Sequence, residues 1–217
     1  MRIALIHALK HSIVPIEDAF ARLWPMARLA NLLDDSLSAD LARDGALTPA
    51  MTERFLTLAH YAKASGADGI LFTCSAFGPC IEACARALAP MPVLKPNEAM
   101  IEDALAVVGG EGRVGLLATF APTLDSMPPE FAAVAPGITV VPKLAEGALA
   151  ALDRGDGAAH DRAAVDGAMA LRTCDVIALG QFSLARAARA IEAATGRRVL
   201  TTPDAAVNKL QRLLGGR

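Results

Sequence analysis

The chain has 217 residues, of which 53% are hydrophobic, 20% charged and only 4% aromatic, with a net charge of −2. That length accommodates one large α/β domain or two small ones and a sizeable core. The composition excludes a disordered chain, and it argues against a nucleic-acid platform, which needs a basic face and stacking rings.

Met1-Arg-Ile-Ala-Leu-Ile-His7 opens directly with a strand pattern. Its apolar run breaks at His7 and again at Lys10-His11, which makes a poor signal peptide. Strands are expected near 2–7, 28–33, 69–73 and 92–94, with helical spacing over 13–23, 48–64 and 79–88. Thr48-Pro49 supplies an N-cap followed by an N1 proline, and Gly66 supplies a stop. Farther on, strands are expected near 113–118, 138–142, 175–179 and 198–201, with helices over roughly 123–133, 145–152, 158–172 and 184–195. Strands that alternate with helices and are apolar on both faces imply parallel sheets covered on both sides. No apolar run approaches membrane-spanning length, and four cysteines are too few for a disulfide scaffold. The expected protein is cytoplasmic, with no membrane partner and no nucleic-acid partner; a homo-oligomer stays open.

The chain is written twice. Arg2-Ile-Ala-Leu-Ile returns as Arg113-Val-Gly-Leu-Leu, Asp68-Gly-Ile-Leu-Phe-Thr-Cys74 as Asp175-Val-Ile-Ala-Leu-Gly-Gln181, and Val93-Leu-Lys-Pro-Asn-Glu-Ala99 as Val199-Leu-Thr-Thr-Pro-Asp-Ala205. The three blocks recur in order, 111, 107 and 106 residues apart. They predict two similar α/β half-domains, 1–108 and 113–217, joined by Val108-Gly-Gly-Glu-Gly-Arg113. That glycine-rich link follows a helix and precedes a strand, the reverse of a dinucleotide-binding turn, and reads as a helix C-cap. Pseudo-twofold packing would bring the strand carboxyl ends to one cleft, with Cys74 opposite Gln181.

Cys74 stands where the buried run Gly69-Ile-Leu-Phe gives way to Thr-Cys-Ser, the place where open α/β sheets build their sites. His7 ends the first strand, where it serves either as a general acid or as a hydrogen-bonded plug. Lys10, His11 and Ser12 follow in a loop suited to an anion or simply to solvent. Cys80 and Cys84 lie one helical turn apart on an apolar face and read as packing residues; their spacing with Cys74 matches no zinc pattern. Cys174 begins a strand and reads as core. Glu98 and Asp204 sit after late strands, where capping explains them, and Asp34-Asp35 reads as a solvated turn.

At "LFTCSAFG", "RVGLLATFAPT" and "DVIALGQFS" the sequence resembles the aspartate/glutamate racemase superfamily, which includes hydantoin racemases, maleate isomerases and arylmalonate decarboxylases. The resemblance covers essentially the whole chain. It implies cofactor-independent chemistry on a small carboxylate, with Cys74 as a catalytic thiol and Ser75, Ala76 and Thr119 as carboxylate-binding residues. Gln181 occupies the place of the family's second thiol, and Ser183 is a further hydroxyl donor. The chemistry needs a base at the carbon alpha to the carboxylate and donors around the resulting enediolate. A helix N-terminus and polar flanks would lower the thiol's pKa. The expected activity is racemase or isomerase chemistry with one thiol. Its rivals are a one-thiol decarboxylase of the arylmalonate type and a non-catalytic protein that binds small carboxylates.

Overall fold

A computed structural model describes residues 1–215. The chain runs β1 (Arg2–His7), α1 (Ile13–Leu23), β2 (Arg28–Leu33), α2 (Ser36–Asp44), α3 (Pro49–Ala64), β3 (Gly69–Phe72), α4 (Gly78–Leu88), β4 (Val93–Leu94) and α5 (Glu98–Val108). It continues with β5 (Gly112–Ala118), α6 (Ala121–Val134), β6 (Ile138–Leu144), α7 (Ala148–Asp153), α8 (Gly157–Met169), β7 (Val176–Leu179), α9 (Ala188–Thr195), β8 (Arg198–Thr201) and α10 (Thr202–Gly215). All eight strands pair in parallel, in two four-stranded sheets of order β2-β1-β3-β4 and β6-β5-β7-β8. The identical strand order is the structural counterpart of the three repeated blocks. Among the described residues, no helix is long and apolar enough to cross a membrane.

The two compact units divide the helices differently from the expected halves. One unit is Met1–Glu98 with the C-terminal stretch from Ala206, and the other is Ala99–Ala205. Thus α5 packs its Met100, Ile101 and Ala104 against Val114, Leu116, Val176 and Ala178 of the second sheet. Leu210 and Leu214 of α10 close instead on Gly69 at the start of β3. The linker itself behaves as read: Gly109 and Gly110 adopt φ of +69° and +86°, the left-handed conformation that ends a helix.

Local chemistry explains the elements. The Thr48 side chain accepts from Met51 N–H ahead of Pro49, which starts α3. From α3, Phe55 reaches the first sheet and packs on both Phe72 and Phe77, with ring centroids 5.2 and 4.9 Å away. These two rings flank Thr73-Cys74-Ser75-Ala76 in sequence, so the segment is pinned from both ends by one aromatic cluster.

Gly115, central in β5, shows how tightly the second unit is packed. A Cβ there would lie 2.9 Å from Leu171 Cβ and 3.3 Å from Cys174 Sγ. Replacing it by alanine forces backbone or side chains apart, and the expected cost is about 1–3 kcal/mol. Urea unfolding of Gly115→Ala should show that loss as a lower midpoint; an unchanged midpoint would contradict the packing described.

Candidate active site

In a doubly wound sheet the strand order reverses at a switch point, and the crossovers on either side leave a crevice at the carboxyl ends there. The reversal lies between β1 and β3 in the first unit and between β5 and β7 in the second. The residues that close these strands are His7 and Thr73-Cys74, and Thr119 and Gln181. Each switch point is bridged by a side-chain hydrogen bond: His7 Nδ1 to Thr73 Oγ1 at 2.8 Å, and Thr119 Oγ1 to Gln181 Oε1 at 2.8 Å.

His7 is fully buried and held on both ring nitrogens. Asn31 Nδ2 donates to Glu17 Oε1 at 2.7 Å, which leaves Asn31 Oδ1 facing His7 Nε2 at 2.9 Å. Nε2 therefore donates, and in the neutral ring Nδ1 accepts. Ser12 Oγ lies 2.9 Å from Nδ1 but gives its proton to Leu9 C=O at 2.7 Å, so the Thr73 hydroxyl is the donor to Nδ1. Burial pushes the His7 pKa down, opposed by the Asn31 hydrogen bond and the Glu17 charge. Of the residues expected in this loop, Ser12 joins the cluster, whereas Lys10 is exposed and its side chain bonds to no described residue.

Cys74 follows Thr73 and is 8% exposed, against 0%, 0% and 1% for Cys80, Cys84 and Cys174. Two groups touch its sulfur, the backbone N–H of Ala76 and the side chain of Ser38. Ser38 Oγ also donates to Ala8 C=O at 2.8 Å, which ties the thiol to the loop after β1. The expected acidic thiol is not found. Loss of solvent outweighs both contacts and pushes the Cys74 pKa up to about 11. The helix that follows in the chain, α4, begins only at Gly78, after a short 3-10 turn over Ser75–Phe77, too far along to lend its dipole. The N–H of Ala76, expected for a carboxylate, is directed at the sulfur. Cys80 and Cys84 are sealed in the apolar face of α4, and burial raises both thiols as well.

In the second unit, Gln181 Oε1 accepts from Thr119 N–H, from the Thr119 hydroxyl and, at 3.1 Å, from Phe120 N–H. Ser183 follows, buried, in the 3-10 stretch Phe182–Ala187. Cys174 lies before β7, at the amino end of that strand, away from Gln181 at its carboxyl end. Gly180 lets α6 approach closely, since a Cβ there would meet Met127 and Thr123 at 3.1 Å.

Three participants escaped the sequence reading. Ser38 lies on α2, a helix not expected because its window is polar apart from Leu37 and Leu41. Asn31 falls inside the strand expected near 28–33, with nothing in that pattern to mark it as a partner of His7. Thr73 stands inside the motif that drew attention to Cys74, and its position beside a strand-end histidine was the available signal. Asp34, expected in a solvated turn, pairs with Arg54 Nη2 at 2.5 Å.

Two measurements check this electrostatic picture. Iodoacetamide should label Cys74 before the other cysteines, because it alone meets solvent. Its rate should climb about tenfold per pH unit from neutrality past pH 9, with no plateau near 7. For His7 the folded pKa lies below 6.5, so its contribution to stability is full above pH 6.5 and is lost as pH falls through the folded value. Unfolding midpoints should therefore drop as the pH falls below about 6.5, and His7→Gln should flatten that drop.

The Asp/Glu/hydantoin racemase family model matches residues 27–210. No curated protein sequence matches the chain significantly. Among solved structures, a glutamate racemase isoform from Bacillus anthracis is similar with a TM-score of 0.75 at 13% identity, covering 99% of this chain and 81% of that one. Allantoin racemase from Klebsiella pneumoniae gives 0.73 at 18% identity, covering 99% and 88%. Aspartate racemase from Picrophilus torridus gives 0.72 at 13%, covering 99% and 94%. The family match over most of the length, on a fold with two sheets of the same order, makes this chain a member of the Asp/Glu/hydantoin racemase family.

Proposed function

We propose that the protein is a cofactor-independent enzyme of racemase or isomerase type that transfers a proton at a carbon alpha to a carboxylate, with Cys74 as its single thiol. The observation that carries this reading is the placement of Cys74 at the β1/β3 switch point, pinned by Phe72 and Phe77 and touched by Ser38 and Ala76 N–H. Ser75 supplies a hydroxyl close by in sequence for the substrate carboxylate, and Thr119, Gln181 and Ser183 form the corresponding polar group of the second unit. His7 and Ser12 support the thiol segment through Thr73, and Lys10 offers a surface charge to an incoming anion.

Racemisation needs one group to take a proton from one face and another to return it to the opposite face. The amide of Gln181 neither takes nor releases a proton near neutral pH, so the chemistry is one-sided. The height of the Cys74 pKa favours a second reading, decarboxylation. There the substrate carries a second carbonyl group on the alpha carbon: the C–CO₂⁻ bond breaks to release CO₂, the electron pair passes into that remaining carbonyl as an enolate, and the thiol gives the alpha carbon its proton. A thiol that is protonated at neutral pH is ready for that step, whereas abstraction first requires the thiolate. Water then returns the proton to sulfur.

Heavy water separates these outcomes. Wild type should incorporate deuterium at the alpha carbon of a substrate or its decarboxylated product with one handedness. Cys74→Ala should lower the rate by about 100- to 10,000-fold. Gln181→Cys should raise racemisation by adding a second acid/base. Rapid racemisation by wild type would refute the one-sided mechanism. An absence of exchange and of CO₂ release from every small carboxylate tried would leave a carboxylate-binding protein.

A further inference from the structure

Helix α2 reaches Cys74 through one residue. Of its nine residues only Leu37, Ser38 and Leu41 are buried, and no side chain caps its start at Asp35. Ser38 Oγ donates to Ala8 C=O at 2.8 Å, and its side chain touches the Cys74 sulfur. A second anchor comes from Arg54 on α3. Its Nη2 donates to Asp34 Oδ2 at 2.5 Å and to Ser36 Oγ at 2.6 Å, its Nε to Asp34 Oδ2 at 3.2 Å, and its Nη1 to Asp40 Oδ2 at 2.6 Å. Ser36 Oγ in turn donates to Asp34 Oδ1 at 2.6 Å. One guanidinium thereby grips residues 34, 36 and 40, on both sides of Ser38 in the chain. Arg43, by contrast, pairs with Asp40 and Asp44 within α2 itself.

A planar fork that satisfies two carboxylates at once fixes their separation, which a single point charge cannot do. We infer that Arg54 is a positioning residue for Cys74: by clamping Asp34, Ser36 and Asp40 it holds α2, and with it Ser38, against the sulfur and keeps water from the thiol. This rests on the reading of Cys74 as the reacting thiol and adds what controls it. The sign of the effect follows from the groups on the sulfur. Burial is the largest influence there and outweighs the Ser38 contact, so loosening α2 admits water and lowers the thiol's pKa. Arg54 acting as a bare charge predicts the reverse, because losing a nearby cation disfavours the thiolate.

Arg54→Met removes the clamp, and iodoacetamide reads the result at all four free cysteines of the chain. Cys74 should label at least about threefold faster near neutral pH, since each tenfold gain in thiolate is offset by a loss of about threefold in nucleophilicity. Its rate should also level off at lower pH than in wild type. Cys80 Sγ lies 3.4 Å from Thr52 Oγ1, on the same helix as Arg54, so an unchanged Cys80 rate shows α3 undisturbed. Cys84 and Cys174 report on global loosening. Arg54→Lys, which keeps the charge and loses the fork, should still label Cys74 faster than wild type. A Cys74 rate that is unchanged or slower in Arg54→Met, a rise shared by Cys80, Cys84 or Cys174, or wild-type behaviour of Arg54→Lys would each overturn the inference. If Arg54→Met does not fold, Asp40→Asn releases Nη1 alone, and labelling of Cys74 at the wild-type rate there overturns it equally. Because labelling needs no turnover, a protein that exchanges no proton and releases no CO₂ would sink the catalytic reading while the hold of Arg54 on the thiol stands.

Discussion

A parallel sheet that reverses its winding order leaves two strand ends side by side with no crossover to cover them, and the polar groups there must be satisfied by side chains. This chain meets that demand twice, with His7 to Thr73 in one unit and Thr119 to Gln181 in the other. Everything proposed to be functional hangs on these two bridges. The first fixes the residue that precedes the thiol. The second fixes the amide of Gln181. Each bridge adds a side-chain tie at the carboxyl ends to the backbone ladder of its two strands, so the strand ends are held to the geometry of the sheet and not left to a loop.

The two halves keep the frame and differ in the chemistry at its tip. The first invests its buried polar groups in neutrality: a histidine whose charged form burial disfavours, hydroxyls that give their protons to Leu9 C=O and to His7 Nδ1, and a thiol held as S–H. The second uses an amide oxygen to absorb three donors that would otherwise attract an anion. An internal duplication makes such divergence easy, since each strand end can change without disturbing the sheet behind it. Gly115 and Gly180 mark where the sheet behind cannot change, because neighbouring side chains fill the space a Cβ would need.

The eight strands were legible because a buried parallel strand is a short apolar run between turn signals, and the repeats confirmed their order. Less was legible where long-range packing decides. Which sheet α5 and α10 cover cannot be read from their amphipathic faces, and each joins the unit opposite to the one its sequence position suggests. Helix α2 has only Leu37 and Leu41 to announce it, and with it Ser38 went unseen. The thiol's acidity failed for a related reason. Chain neighbours showed Thr73 and Ser75 as polar flanks, whereas burial comes from residues far off in sequence, such as Ser38 on α2.

That burial sets the terms for any chemistry at Cys74. With a pKa of about 11, making the thiolate at pH 7 costs about 5 kcal/mol. A substrate carboxylate placed nearby adds to that cost, because like charges disfavour each other's ionisation. Ser38 is the one side chain positioned to offset it, yet its single proton is already given to Ala8 C=O at 2.8 Å. Turning that proton to sulfur leaves the Ala8 carbonyl without its partner, so ionising Cys74 and releasing the loop after β1 are coupled. A reaction that begins by removing a substrate proton must meet both costs before the barrier is reached. A reaction that begins by losing CO₂ meets neither, because its first demand on Cys74 is the proton that burial has kept there.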